Sequence, residues 1–266
     1  MARSALLNVM VQAALKAGRS LTRDFGEVEN LQVSLKGPGD FVSAADRKAE
    51  EIIIAELTKA RPGYGFLTEE TGVIAGTDKT NTWLVDPLDG TTNFLHGIPL
   101  FAVSLALERD GVLVAGVVYN PILNELYVAE RGQGAYLNDR RIRVAARREL
   151  ADTVIATGTP NIGSEGHDLF VSDLQRVMAK TAGIRRNGSA AMDLAWVASG
   201  RFDGYWERGL SPWDMAGGIV IVREAGGLVS DTNGNGDMFS TKSVVAGSET
   251  IHPKLIANLA GKGTAG

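Results

Sequence analysis

Four acids stand where the chain changes element: Glu69, Asp86, Asp89 and Asp214. Asp86 and Asp89 lie three residues apart in W-L-V-D-P-L-D-G-T-T-N-F, Trp83 to Phe94. Like charges crowded into one turn repel, so the arrangement calls for a cation, and oxygen-only ligands suit a hard divalent ion such as Mg²⁺. Gly90-Thr91-Thr92 follows. Glycine permits close backbone approach, and the free N–H groups of a helix start suit an anion. Carboxylates, a cation and an anion cradle in one turn spell a phosphate-and-metal site. The plainer reading is an ordinary strand-end turn, since Asp-Pro and Asp-Gly are common turn pairs.

The elements that position these acids follow from periodicity. Ser4 to Phe25 reads as an amphipathic helix, with Leu6, Met10, Ala13, Ala17, Leu21 and Phe25 at helical spacing and Gly26 ending it. Lys36 to Asp40 reads as a loop by composition. Ser43 caps a second helix, Ala44 to Ala60, and Asp46 occupies its capping-box position, which is itself a sufficient reason for an acid there. Tyr64 to Thr68 predicts a strand running into Glu69-Glu70, and residues 71–81 an exposed, mobile loop. Trp83-Leu84-Val85 predicts a buried strand ending at Asp86, because Pro87 cannot donate to a ladder. Phe101–Glu108 and Val112–Tyr119 form a hairpin, continued as a meander by Glu125–Glu130 and by Gly134 onward. The second half alternates: a strand at Thr153–Thr157, a helix at Asp168–Ala182, a helix at Ala190–Ser199 capped by Ser189, a strand at Phe202–Glu207, a helix opened by Ser211-Pro212-Trp213-Asp214, a strand at Leu228–Ser230 and a short helix at His252–Ala260. The shift from meander to alternation near Val144 suggests two lobes, 1–143 and 144–266.

Other patterns carry less. Asp231 to Gly236 copies the first half of an EF-hand loop, but Lys242 stands where that loop needs glutamate, so a turn is expected. The R-G-Q-G-A segment has no following helix and is no dinucleotide fingerprint. His96, His167 and His252 are scattered without zinc spacing. Arg140, Arg141, Arg143, Arg147 and Arg148 make a basic cluster, read as a solvated edge strand protected by charge, or else as a surface for RNA or an acidic protein. The 266 residues contain no cysteine, which excludes disulfides and thiolate chemistry, and the net charge of −4 argues against a general nucleic-acid binder. Asn8 and Gln12 interrupt the first apolar stretch and no run is long enough to span a bilayer, so a cytoplasmic protein without a membrane partner is expected.

L-T-E-E, W-L-V-D-P-L-D-G-T-T-N-F and P-W-D-M-A-G-G-I-V-I-V-R-E-A-G-G together resemble the inositol monophosphatase family of sugar phosphatases, bacterial members included. The resemblance runs from K-G-x-x-D-F-V-S-x-x-D to E-A-G-G, nearly the whole chain, and lysine is absent after the first threonine of G-T-T, which sets it apart from the adenosine bisphosphate phosphatase branch. It implies a layered α/β/α/β/α sandwich, commonly a homodimer, with lithium inhibition and two or three Mg²⁺ per site. It implies that Glu69, Asp86, Asp89, Asp214 and the Leu88 carbonyl bind metal, and that Thr91 and Asp46 polarise the attacking water, with Glu69 joining them as a catalytic residue. The N–H groups of Gly90 and Thr91 would hold phosphate beside Asp89 and Asp214. Gly188, Ser189 and Ala190 would line the pocket, Glu207 would bind substrate hydroxyls, and Lys36 would sit near the metals on a mobile loop. Ser43 replaces the family's more usual threonine.

Two metal ions about 3.5–4 Å apart can clamp both the attacking and leaving oxygens of a phosphate ester, and Asp86 is the natural bridging ligand. The expected activity is therefore Mg²⁺-dependent hydrolysis of a phosphate monoester, inositol 1-phosphate first. Fructose bisphosphate, histidinol phosphate and nucleotide phosphates are rivals. A regulatory role is the other class, because some bacterial relatives act with RNA polymerase and in ribosomal RNA processing. The intact acid set favours catalysis, since a scaffold has no need of mutually repelling carboxylates.

Overall fold

The computed structural model describes residues 3–25, 27, 33–37 and 40–261, without the side chains of residues 33–43. The chain folds as layered α/β. Helices α1 (Ala5–Phe25) and α2 (Ala44–Ala60) cover one face of an eight-stranded sheet. That sheet holds β3 (Gly65–Thr68), β4 (Gly72–Ile74), β5 (Asn81–Asp89), β6 (Ala102–Arg109), β7 (Val112–Asn120), β8 (Glu125–Glu130), β9 (Gly134–Leu137) and β10 (Arg140–Arg141), in the order β10-β9-β8-β7-β6-β5-β3-β4. The period of two sorts its side chains: Trp83, Val85, Val103, Leu105 and Val117 face α1 and α2, while Ala102 and Val118 face the other way.

On that other face lie α5 (Ala190–Ala198) and α6 (Pro212–Glu224). They are sandwiched against a five-stranded sheet, order β12-β11-β13-β15-β14, formed by β11 (Val154–Thr157), β12 (Gly183–Arg185), β13 (Gly204–Arg208), β14 (Leu228–Ser230) and β15 (Ser243–Gly247). Helices α4 (His167–Met178) and α8 (Ile251–Leu259) close the outer face around Ile155, Val177, Trp206 and Leu255. Short helices α3 (Thr91–Leu95) and α7 (Met238–Thr241) complete the order. No helix among the described residues is long and apolar enough to cross a membrane.

Several expectations are corrected. Lys36 to Asp40 is not a plain loop: β1 (Val33–Gly37) and β2 (Asp40–Ser43) pair antiparallel on either side of residues 38–39. Lys36 thus lies on a strand, and its side chain and that of Ser43 fall outside the described residues, as does the Gly26 helix stop. Residues 71–81 contain β4, which adds an antiparallel edge to β3. Strand β5 does not stop at Asp86 but continues to Asp89, because Pro87 falls in a register break where no ladder bond is required of it. Helix α4 ends at Met178, four residues short of the expectation, and β13 runs one residue past Glu207. Strand β15 had no counterpart in the sequence reading, although it is wholly buried in the middle of its sheet.

Candidate active site

The cleft forms where strand ends of the first sheet meet the helix starts of the second half. Asp86 pairs with Ser104 and Asp89 with Ala102, so β5 uses three steps where β6 uses two. This bulge, braced by the Leu88 N–H donating to Asp86 Oδ1 at 2.9 Å, turns both carboxylates to the strand end. Glu69 follows β3, the parallel neighbour of β5, and its N–H donates to the Val85 carbonyl at 3.2 Å. The Glu69 and Asp86 carboxyls stand within hydrogen-bonding reach of each other. Gly90 takes φ +94°, and a Cβ there would meet the carbonyl oxygens of Leu100 at 3.0 Å and Gly188 at 3.1 Å, so conformation and space both call for glycine.

Asp214 arrives on the third residue of α6. Its Oδ2 accepts from the Ser211 N–H at 2.7 Å, one half of a capping box. Ser189 caps α5 by accepting from the Met192 N–H, and its hydroxyl donates to Asp89 Oδ2 at 2.5 Å, beside the Ala191 N–H at 2.8 Å. Asp89 is thus fixed by the N-terminus of a helix from the other half of the chain. The Thr91 hydroxyl lies 3.0 Å from Asp46 Oδ1 and 3.1 Å from the Leu88 carbonyl oxygen. Asp46, at the start of α2, is fully buried behind Thr91, which lines the cleft, so it has a partner beyond the capping position that alone would explain it.

Electrostatics mark the group. Burial first, then the charges of Glu69, Asp89 and Asp214, push the Asp86 carboxyl well above its ordinary value. Burial, then the Asp89 charge, does the same to Asp214. Asp89 is pushed up to about 6 by burial, against the opposing pull of its bonds to Ser189 and Ala191. An all-oxygen set of carboxylates held together against mutual repulsion fits a hard divalent cation. Among the described residues no group of three acids or histidines forms a ready-made cage. Mg²⁺ ordinarily takes only one or two protein carboxylates and keeps waters.

Glu207 faces a cleft of about 190 Å³ also lined by Glu69, Asp86, Asp89, Thr91 and Asp214. Burial raises its carboxyl to about 7. Glu207 is also a wall of an adjoining cavity of about 220 Å³ that runs toward Phe170 and Trp206. Gly188, Ser189 and Ala190 line the same cleft as the acids. The arginine cluster is elsewhere: Arg140 and Arg141 form the exposed outer strand of the eight-stranded sheet, and Arg147 pairs with Asp203 at 3.0 Å.

Residues the sequence did not single out complete the architecture. Glu50, buried on α2, accepts from the N–H groups of Glu70 and Thr71, each at 2.9 Å, and so holds the turn that carries Glu69. Its signal was faint: an acid one turn after Asp46, between the apolar Ala49 and Ile53. Asn93 Nδ2 donates to the Leu100 carbonyl at 2.6 Å and to the Asn187 carbonyl at 2.7 Å, tying α3 to the Gly188 turn. Asn187 in turn donates to the buried Asp193 at 2.6 Å. Arg186 stands exposed at the rim, 3.2 Å from the Thr159 hydroxyl.

Comparison with known proteins agrees with this geometry. The model of the inositol monophosphatase family matches residues 2–263. A Mesorhizobium japonicum protein named inositol-1-monophosphatase is 67% identical over 256 residues, 96% of each chain. The Escherichia coli Nus factor SuhB is 43% identical, over 96% of this chain and 95% of its own. The crystal structure of the extragenic suppressor protein suhB from Bartonella henselae superimposes with a TM-score of 0.94 at 62% identity, covering 96% of this chain and 98% of that one.

Proposed function

The chain belongs to the inositol monophosphatase family, and from that premise we propose that it is a Mg²⁺-dependent phosphate monoester hydrolase that releases phosphate from inositol 1-phosphate. The observation that carries the proposal is the convergence on one cleft of Asp86 and Asp89 from the end of β5, Glu69 from the end of β3 and Asp214 from the start of α6. Glu69, Asp86, Asp89, Asp214 and the Leu88 carbonyl would hold two or three Mg²⁺. When bound, the cation supplies positive charge that stabilises the phosphoryl group and the attacking and leaving oxygens.

The chain's own residues do the rest. The Thr91 hydroxyl, hydrogen-bonded to Asp46, accepts from the attacking water and passes proton density toward Asp46 Oδ1. The N–H groups of Gly90 and Thr91 orient the phosphate. Ser189 fixes Asp89, and the turn at Gly188 to Ala190 bounds the substrate. Glu207 accepts hydrogen bonds from the polyol. Lys36 near the metals, lithium inhibition, a cytoplasmic homodimer and two lobes meeting at the cleft, 1–143 and 144–266, belong to the same proposal.

The test is phosphate release from inositol 1-phosphate, fructose 1,6-bisphosphate, histidinol phosphate and a nucleotide phosphate, with Mg²⁺ and after chelation. Highest kcat/KM on inositol 1-phosphate, lost on chelation, is expected. A tenfold preference for another ester would replace the substrate, and no Mg²⁺-dependent release from any would overturn the activity. A second reading, regulation of RNA processing, is favoured by the exposed guanidinium edge at Arg140 and Arg141 together with relatives named Nus factor. Retained binding to RNA polymerase after those arginines are replaced would remove that support.

A further inference from the structure

Strands β11 and β13 run parallel with Thr157 opposite Trp206. One residue further on, Gly158 comes beside Glu207, and a Cβ built on Gly158 would fall inside the Glu207 carboxyl group. The φ of Gly158 lies outside the left-handed region, so an alanine backbone could adopt it, and the atoms nearest its Cβ would be those of the Glu207 carboxyl, which would have to move aside. Tyr205 sits two residues before Glu207 on the same face of β13. Its ring is fully buried in the core shared with α5 and α6, and its hydroxyl donates to Glu207 Oε2. The carboxylate is therefore pressed on one side against bare backbone and held on another by a rigid phenol. What remains open is the edge toward the cleft, where Glu207 separates the two cavities of about 190 and 220 Å³.

We propose that Gly158 and Tyr205 are positioning residues for the Glu207 carboxylate, and that the seat they make selects phosphate esters bearing neighbouring hydroxyls. The proposal rests on the reading of Glu207 as the acceptor for substrate hydroxyls. A carboxylate already locked in place loses little freedom when a diol docks, so its hydrogen bonds are realised more fully than those of a free side chain. A side chain at 158 displaces the carboxylate into the substrate's space. Loss of the tyrosine hydroxyl leaves it free to turn away.

The experiment measures kcat/KM for inositol 1-phosphate and for phenyl phosphate, which has no neighbouring hydroxyls, and reads their ratio. Variants are Gly158→Ala, Tyr205→Phe, Glu207→Ala and the double variant Gly158→Ala/Glu207→Ala. Gly158→Ala should lower the ratio about tenfold or more, chiefly through KM for the polyol ester, and Tyr205→Phe about fivefold. In the Glu207→Ala background, Gly158→Ala should change the ratio less than about twofold, because the two positions act as one. Full cost of Gly158→Ala in that background, or an unchanged ratio in both Gly158→Ala and Tyr205→Phe while Glu207→Ala lowers it, overturns the seat and leaves the role of Glu207 standing. An unchanged ratio in Glu207→Ala removes that role and the seat together. If Gly158→Ala does not fold, the double variant decides by thermal melting: truncation of Glu207 should restore folding, and failure to do so would assign the glycine to the backbone.

Discussion

Asp89 and Asp214 each carry two duties that can be separated. One oxygen of each serves protein donors, the Ser189 hydroxyl and Ala191 N–H for Asp89 and the Ser211 N–H for Asp214. The charge itself is a liability without metal, since burial and neighbouring acids raise both groups. Asparagine keeps an acceptor oxygen for these donors but carries no charge. Asp89→Asn and Asp214→Asn should therefore lose activity by about a hundredfold or more, while the metal-free melting temperature stays level or rises. Alanine at the same positions removes the acceptor as well, leaves these donors unpaired and should cost about 1–3 kcal/mol. Melting curves recorded in chelator check this, and a large drop for the asparagine variants would mean that the charge is structural.

At the scale of elements, the cleft is a set of strand and helix ends locked together by side chains from distant parts of the chain. Asn93 is the clearest lock, joining α3 to the carbonyls of Leu100 and Asn187. Asn93→Ala removes two hydrogen bonds to half-buried carbonyls, a loss of about 1–3 kcal/mol. The melting temperature should fall by about 3–10 °C and kcat/KM by about tenfold as the Gly188 turn loosens. An unchanged melting curve would show that water replaces the amide. Such locks explain what the sequence could and could not reveal. The Asp86–Gly90 turn was legible because its chemistry is local: acids, proline and glycine within five positions. Glu50, Asn93 and Gly158 were not, because each acts on a residue brought near only by tertiary structure, as with Asn93 and Asn187, 94 positions apart. Strand β4 was hidden by the polar composition around three paired residues, and β15 by its short run of small side chains after a turn resembling a calcium loop. The expected end of β5 failed because a bulge excuses proline from the ladder.

For the whole molecule, distance and charge set two further outcomes. Strand β10 is five strand spacings of about 4.8 Å from β5, roughly 24 Å. Replacing Arg140, Arg141 and Arg143 by serine should leave turnover within tenfold of the parent, measured as phosphate release, and a larger fall would bring these arginines to the site across a dimer. The second outcome is the pH dependence of stability. Asp86, Asp89, Asp214 and Glu207 all have carboxyl pKa values raised by burial, Asp89 to about 6 and Glu207 to about 7. Above about pH 4 the unfolded chain releases these protons while the folded chain keeps them. The folded state then binds more protons, so stability falls as pH rises, and it does so until the folded groups themselves ionise. His252 acts in the opposite sense, because burial lowers its pKa and protonation below about 6.5 favours the unfolded chain. One imidazole against several carboxyls leaves the acids in control. The metal-free protein should therefore melt at a lower temperature at pH 7 than at pH 5. Mg²⁺ requires the ionised carboxylates, so its stabilising effect should grow over the same interval and reverse the trend. Melting curves from pH 5 to 8, in chelator and in saturating Mg²⁺, test both halves. A chelated protein that grows steadily more stable from pH 5 to 7 would show that these acids are already ionised at the lower pH, held by partners other than a cation.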